Sequence, residues 1–237
     1  MKTKGFAKGI VDGLPICLGY LSVSFAFGIF AIENGLTVWE AVLISMTNVT
    51  SAGQLAGVPI IAAAGTLAEL AITQAVINLR YSLMSVSLSQ KFGKSIKLID
   101  RFIIAFVNTD EVFAVASSKK ERLSKSYMYG LILTPYIGWS TGTFLGATAG
   151  NILPEIIVSS LGIAIYAMFV AIVIPEAKRN KATAGLVLMS VIFSCVFKYI
   201  PVLNFVSTGF TIIICASTAS IICSIIAPVD RLEEEDE

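Results

Sequence analysis

An arginine and two carboxylates lie inside stretches that are otherwise apolar enough to cross a bilayer. Arg80 is near the middle of Leu67–Gln90 (LAELAITQAVINLRYSLMSVSLSQ), and Asp110 and Glu111 are near the middle of Ile99–Ser118. A charge at the bilayer centre costs at least ~3 kcal/mol on insertion scales, so it has a partner or a task. For Asp110 and Glu111 the task would be an ion or proton pathway. The alternative is a structural bond, with Asp110 paired to Arg80. Arg80 in turn either contacts a substrate or anchors Asp110, Glu111 or Glu69, and a ligand could convert one role into the other. Asn108 precedes Glu111 by three residues and shares its helical face.

The residues around these charges are polar in a patterned way. Along Leu67–Gln90, Gln74, Asn78, Tyr81, Ser85 and Ser89 fall on one helical face, while Glu69, Thr73, Arg80 and Ser87 form a second line. A helix with two such lines is expected to be wrapped by other helices. Upstream, TNVTSAGQLAGVP (Thr47–Pro59) interrupts an apolar run with hydroxyls, amides, glycines and a proline. Irregular backbone at membrane depth survives only where it is buried in protein or lines a wet cavity. A broken helix is expected there, the kind of element at which transporters bind substrate. Ser45, Thr47, Asn48 and Gln54 read as cavity lining or as helix–helix hydrogen bonds. Trp139 reads as a pocket wall, with an interfacial belt residue as the alternative.

The chain contains no histidine, which removes His-based zinc sites, Ser-His-Asp triads and His-ligated haem. Its four cysteines lie in apolar runs without CxxC spacing and read as buried small hydrophobes. No nucleophile accompanies the carboxylates, and no metal or cofactor is called for, so the chain is not read as an enzyme. A net charge of +1 gives no footprint for nucleic acid.

With 56% hydrophobic and only 14% charged residues, against about 25% charged in soluble domains, the 237-residue chain reads as an all-α polytopic membrane protein. Seven to eight apolar segments are expected, at roughly 9–32, 38–63, 67–90, 99–117, 127–150, 155–175, 182–200 and 202–227. They form one transmembrane domain over residues 1–230, followed by a solvated acidic tail over 231–237. The N-terminus lacks a signal-peptide cleavage pattern, so the first segment is retained.

Lysine and arginine clusters place both termini in the cytoplasm, with one conflict. After three full crossings, Lys91, Lys94, Lys97 and Arg101 would lie outside. Either the charge bias is violated there, or a re-entrant fourth segment and a single net crossing by segments two and three repair it. Segment five carries a stripe of Gly130, Gly138, Gly142, Gly146 and Gly150, which lets a second helix approach closely. Its glycine-rich texture, shared with segment one, hints at an internal repeat.

Taken together, Ser45 with Gln54, Asn78-Leu79-Arg80, Thr109-Asp110-Glu111, and Trp139 with Thr143 and Gly146 resemble the large subunit of the AzlC-type branched-chain amino-acid exporters. The match in order and spacing runs from Gly13 to about Pro175; the last two segments agree only in hydropathy. The resemblance implies export of leucine, isoleucine and valine, sometimes methionine, driven by the proton gradient. It also implies a small AzlD-type membrane subunit, for which the glycine stripe is a candidate contact. The chain departs from the family at Tyr81, usually His, and at Thr50-Ser51, usually Ala-Gly. Proton handling assigned to that His would here fall to a carboxylate.

A zwitterion needs an anion near its ammonium, a cation or helix N-terminus near its carboxylate, and an apolar slot. Asp110 or Glu111 would serve the ammonium or carry the coupling proton, and Arg80 or free N–H groups near Gln54 would serve the carboxylate. Asn48, Asn78, Gln54 and Trp139 would complete the wall. The competing readings are a transporter of another small amphipathic solute, a passive channel and a non-transporting scaffold subunit.

Overall fold

A computed structural model describes residues 2–152, 177–203 and 205–226, together with 154, 156, 170 and 173–175. The acidic tail and most of the sixth apolar segment lie outside the described residues. The chain divides into two compact units, Met1–Tyr166 and Ala167–Glu237. The described residues are helical, with one isolated parallel bridge between Phe92 and Leu123.

The first unit holds α1 (Lys2–Glu33), α2 (Val38–Thr47), α3 (Ser51–Ala62), α4 (Leu67–Ser89), α5 (Leu98–Phe106), α6 (Asp110–Ser117) and α7 (Lys125–Ile152). Its most extensive packing is α1 on α7, and glycine is the reason the two helices come so close. A Cβ on Gly138 would stand 2.7 Å from the Cys17 carbonyl, and one on Gly146 would overlap the Phe25 carbonyl. In return, Gly9 faces Tyr127 and Leu131, and Gly28 faces Thr143 and Ala147. Partner numbers rise together along both helices, so α1 and α7 run parallel. The stripe expected to be open to a second subunit is therefore occupied by α1 of the same chain. The glycine texture shared by segments one and five reflects this mutual packing.

Two parallel neighbours require the intervening chain to return from the far end of α1 to its starting end. Gly35, at φ 83°, ends α1 in a left-handed turn, and Leu36 N–H reaches back to the Ala31 carbonyl at 3.1 Å. Thr37 then starts α2 with a capping box to Glu40. α2 descends only halfway. The chain breaks at Asn48-Val49-Thr50, and Thr50 caps α3 through the Gly53 N–H at 3.3 Å. Gln54 donates to Ser45 at 3.0 Å, pairing residues on either side of the break as a hairpin does. α3 climbs back, so that Val58 joins Phe27, Ala31 and Leu36 in one core cluster.

α4 alone makes the full return. Its Gln74 packs against Gly53 and Gly57, its Ser85 meets Asn108, and Lys91 just beyond it donates to the carbonyls of Ser117 and Lys119. α4 is wrapped on one side only: Leu79, Leu83 and Val86 are more than 60% exposed. The fourth apolar segment is not one helix but two. α5 rises beside α7, Asp100 meeting Lys125 and Tyr129 and Phe106 meeting Tyr136. The chain breaks at Val107-Asn108-Thr109. α6 then descends beside α1, with Glu111 at Tyr20 and Lys119 at Asp12.

The first unit therefore repeats a motif, a long helix followed by a half-depth hairpin, in inverted orientation: α1 with α2–α3, then α4 with α5–α6. This arrangement has the geometry of the re-entrant alternative, in which the 91–101 cluster shares an end with the other basic clusters of the first unit. The start of α1, the 90–97 turn and the 118–124 turn all lie at one end, and Lys91, Lys94, Lys97, Arg101, Lys119, Lys120, Arg122 and Lys125 gather there. Two of the carboxylates at this end are tied down. Asp100, 1% exposed, accepts from Lys125 at 2.7 Å, from Tyr129 at 2.9 Å and from the Lys97 N–H at 2.9 Å. Asp12 accepts from Lys119 at 2.7 Å and Tyr127 at 2.8 Å. Beside Asp100, the Lys125 ammonium is held above its ordinary pKa.

The second unit contains α8 (Lys181–Tyr199), a short 3-10 turn (Pro201–Leu203) and α9 (Thr208–Ile226). Asn180 caps α8 through the Ala182 N–H at 2.8 Å. Cys223 near the end of α9 bonds the Ala182 carbonyl at 3.4 Å, so the two helices form an antiparallel pair. With α1, these are the described helices long and apolar enough to cross a membrane on composition alone. α4 and α7 have the length but carry more polar side chains along it.

Candidate functional site

The two hairpin tips meet at mid-depth, and between them is a cavity of about 150 Å³ lined by Thr47, Asn48, Val49, Thr50, Asn78, Tyr81, Ala105, Phe106 and Asn108. Sites for drug-sized ligands occupy roughly 300–1,000 Å³, so this one suits a solute of few heavy atoms. Each tip contributes an asparagine followed by a threonine that begins the returning helix: Asn48 and Thr50 above, Asn108 and Thr109 below. A break of this kind brings a helix C-terminus with free carbonyls next to a helix N-terminus with free N–H groups. Thr50 closes part of its end. Thr109 is buried and makes no side-chain cap bond.

α4 supplies the third wall. The Gln74 carbonyl oxygen accepts from both Asn48 and Asn78 at 3.1 Å, and its NH₂ donates to the Gly53 carbonyl at 2.8 Å. These bonds fix the amide of Asn78 so that its oxygen, buried and without a partner, remains an unused acceptor. Asn108 is in the same state: 3% exposed, its NH₂ directed to Ser85 at 3.1 Å and its oxygen unpaired. Buried acceptors without donors are costly. Two amides of the cavity wall thus keep an oxygen that no donor of the described residues meets.

The charged residues flank the lower tip on either side. Arg80 on α4 pairs with Asp110 at 2.6 Å, both side chains about half exposed, lies 4.8 Å over the Tyr81 ring and donates to the Tyr81 hydroxyl at 3.0 Å. Tyr81 reaches Thr50 at 3.5 Å, so the pair is linked to the upper tip through the cavity wall. On the opposite side of α6, Tyr20 of α1 donates to Glu111. Tyr20 is 8% exposed and packs edge-on to Trp139 at 5.1 Å. The Trp139 indole N–H is buried without a partner.

Of the residues singled out from sequence, Asn48 and Asn78 line the cavity, and Arg80 and Asp110 stand beside it, bonded to each other. Glu111 and Trp139 lie behind α6, against α1. Gln54 is 1% exposed and outside the lining; it starts a buried chain in which Gln54 donates to Ser45, Ser45 to Thr143 at 2.7 Å, and Thr143 to the Trp139 carbonyl at 3.1 Å. This chain holds the upper hairpin on α7. Tyr20 and Asp100 were not anticipated. Tyr20 sits in a plain apolar run, LPICLGYLSVSF, with no spacing signal. Asp100 stands at the edge of an apolar segment next to Lys97 and Arg101, with no spacing signal.

Half-depth hairpins entering from opposite ends toward a small polar cavity define a polytopic membrane protein built as secondary transporters are, with inverted repeats and discontinuous helices at the midplane. The model of the family described as AzlC protein matches residues 15–153, from the middle of α1 through α7. The chain belongs to this family, whose members are membrane proteins generally linked to transport. It is similar to an uncharacterized membrane protein of Archaeoglobus fulgidus, with 33% identity over 78% of this chain and 81% of the relative. It is also similar to the inner membrane protein YgaZ of Escherichia coli, with 30% identity over 77% and 78% of the two chains. An uncharacterized membrane protein of Helicobacter pylori is 25% identical over 62% of this chain. No solved structure matches.

Proposed function

We propose that this chain is the large subunit of an exporter of branched-chain amino acids, leucine, isoleucine and valine with methionine as an extension, driven by the proton gradient and working with a small AzlD-type membrane partner. The observation that carries the reading is the cavity between the hairpin tips. It sets the polar side chains of Asn48, Thr50, Asn78 and Asn108, for the charged ends of an amino acid, beside Val49, Ala105 and Phe106 for an aliphatic side chain. Arg80 and Asp110 beside it can exchange their mutual bond for the two ends of a zwitterion. The basic end of the first unit faces the cytoplasm under the positive-inside bias, in the cytoplasmic membrane of the cell. The upper hairpin then closes the outward path and the lower hairpin the inward one.

The test is efflux of labelled leucine from preloaded cells carrying this chain alone, the chain with its candidate small partner, or neither. Export that needs both chains and stops with a protonophore supports the reading. Export equal to the empty control, with the protein present in the membrane, overturns the substrate class, and other amphipathic solutes are then screened.

A further inference from the structure

At the level of the hairpin tips, the charged side chains described in the first unit are Arg80, Asp110 and Glu111: one cation and two carboxylates. The geometry allots the cation to one of them. Arg80 pairs with Asp110 at 2.6 Å, while Glu111 faces away, on the α1 side of α6, and receives the neutral hydroxyl of Tyr20. The other elements packed there bring no countercharge. α7 contributes Trp139, α4 presents Arg80 and Tyr81 to the opposite side, and the nearest lysine toward the basic end, Lys119, is bound to Asp12. Glu111 is exposed, and a carboxylate without a countercharge at membrane depth is relieved by a proton, a metal cation or a substrate ammonium. Glu111 does not line the cavity between the hairpin tips, where a substrate ammonium would sit.

We propose that Glu111, positioned by Tyr20, is the residue that takes up and releases the coupling proton, and that Asp110 stays ionised on Arg80. The assignment deepens the exporter reading and rests on it for the proton's role, though not for the proton's location. With Glu111 ionised, Tyr20 donates its O–H to the carboxylate. When a proton arrives from water, Glu111 becomes the neutral acid, and the Tyr20 hydroxyl is freed to turn to the neighbouring Thr109 hydroxyl, which is buried and otherwise unpartnered. Since Thr109 begins α6, the exchange acts on the tip of the lower hairpin. Tyr20 is a positioning residue in this scheme.

The experiment is infrared difference spectroscopy of the purified full-length chain in phosphatidylcholine vesicles, acid minus neutral pH, with labelled-leucine flux measured in the same vesicles. A carbonyl stretch of a protonated carboxyl group should appear on acidification, vanish in Glu111→Gln and persist in Asp110→Asn. In Tyr20→Phe, which keeps the ring packing on Trp139, the carboxylate band that this stretch replaces should change frequency, because the phenol bond to the ionised carboxylate is gone. The inference is overturned by a wild type without the carbonyl band, a carbonyl band that survives Glu111→Gln, one lost in Asp110→Asn, or a carboxylate band indifferent to Tyr20→Phe. The expected band without leucine flux removes the exporter reading and leaves the proton site. Flux without the band does the reverse.

Discussion

Arg80 and Asp110 were recognisable as single residues because charge inside an apolar run is expensive wherever it points. That they bind each other at 2.6 Å required the fold, since α4 and α6 are separated by a break and a turn. Removing one partner should harm more than removing both. Arg80→Gln leaves Asp110 uncompensated, and Asp110→Asn leaves Arg80 so; each should lower membrane abundance several-fold, and the double variant should recover most of it. Immunoblotting of the membrane fraction reads this directly, and a double variant no better than the singles would show that the pair does not stabilise the unit. Gln54 lies outside the cavity lining. Its bonds hold α2 and α3 against α7, and interhelical hydrogen bonds of this kind are worth about 0.6–2 kcal/mol. Gln54→Leu should therefore lower thermal stability modestly and leave substrate affinity unchanged, measured by melting with and without leucine.

At the scale of elements, both breaks are half-written in local chemistry. Asn-Val-Thr and Val-Asn-Thr each place a threonine N-cap after a residue that leaves the helix. The first break was legible because glycines and a proline surround it. The second was not, because Leu98–Ser117 has neither and its apolar content reads as one helix. The glycine stripe of α7 was legible as a packing face, but its partner was not, since any close helix would satisfy it. The α1–α7 contact makes a specific demand: Gly142 and Gly146 meet Leu21 and Phe25 backbone without room for a Cβ. Gly146→Leu should cost about 1–3 kcal/mol or more by overpacking, seen as a lower melting temperature in detergent, whereas Gly19→Leu, with open space at its position, should be silent.

At the scale of the molecule, the inverted hairpins dictate a topology that labelling can test. In a variant lacking the four native cysteines, Lys94→Cys should react with an impermeant thiol reagent from the same face of the membrane as a cysteine at Lys120. Asn34→Cys, at the far end of α1, should react from the other. Lys94 labelled from the face of Asn34 would mean that α5–α6 crosses fully and that the re-entrant fold is wrong.

Composition and periodicity alone determined the class of protein, because an apolar chain with few charges has one stable solvent and few architectures in it. They also located the costly residues, Arg80, Asp110, Glu111 and the interrupted stretch at Thr47–Pro59, since a polar group in an apolar run is conspicuous without coordinates. Only the tertiary structure decided which runs turn back halfway, that α1 fills the glycine stripe, that Asp110 rather than Glu111 holds the arginine, and that Tyr20 faces the remaining carboxylate. These are questions of which distant side chains come within a few ångströms. Spacing along one helix sets the direction in which a residue points, but the path of the whole chain sets what it meets.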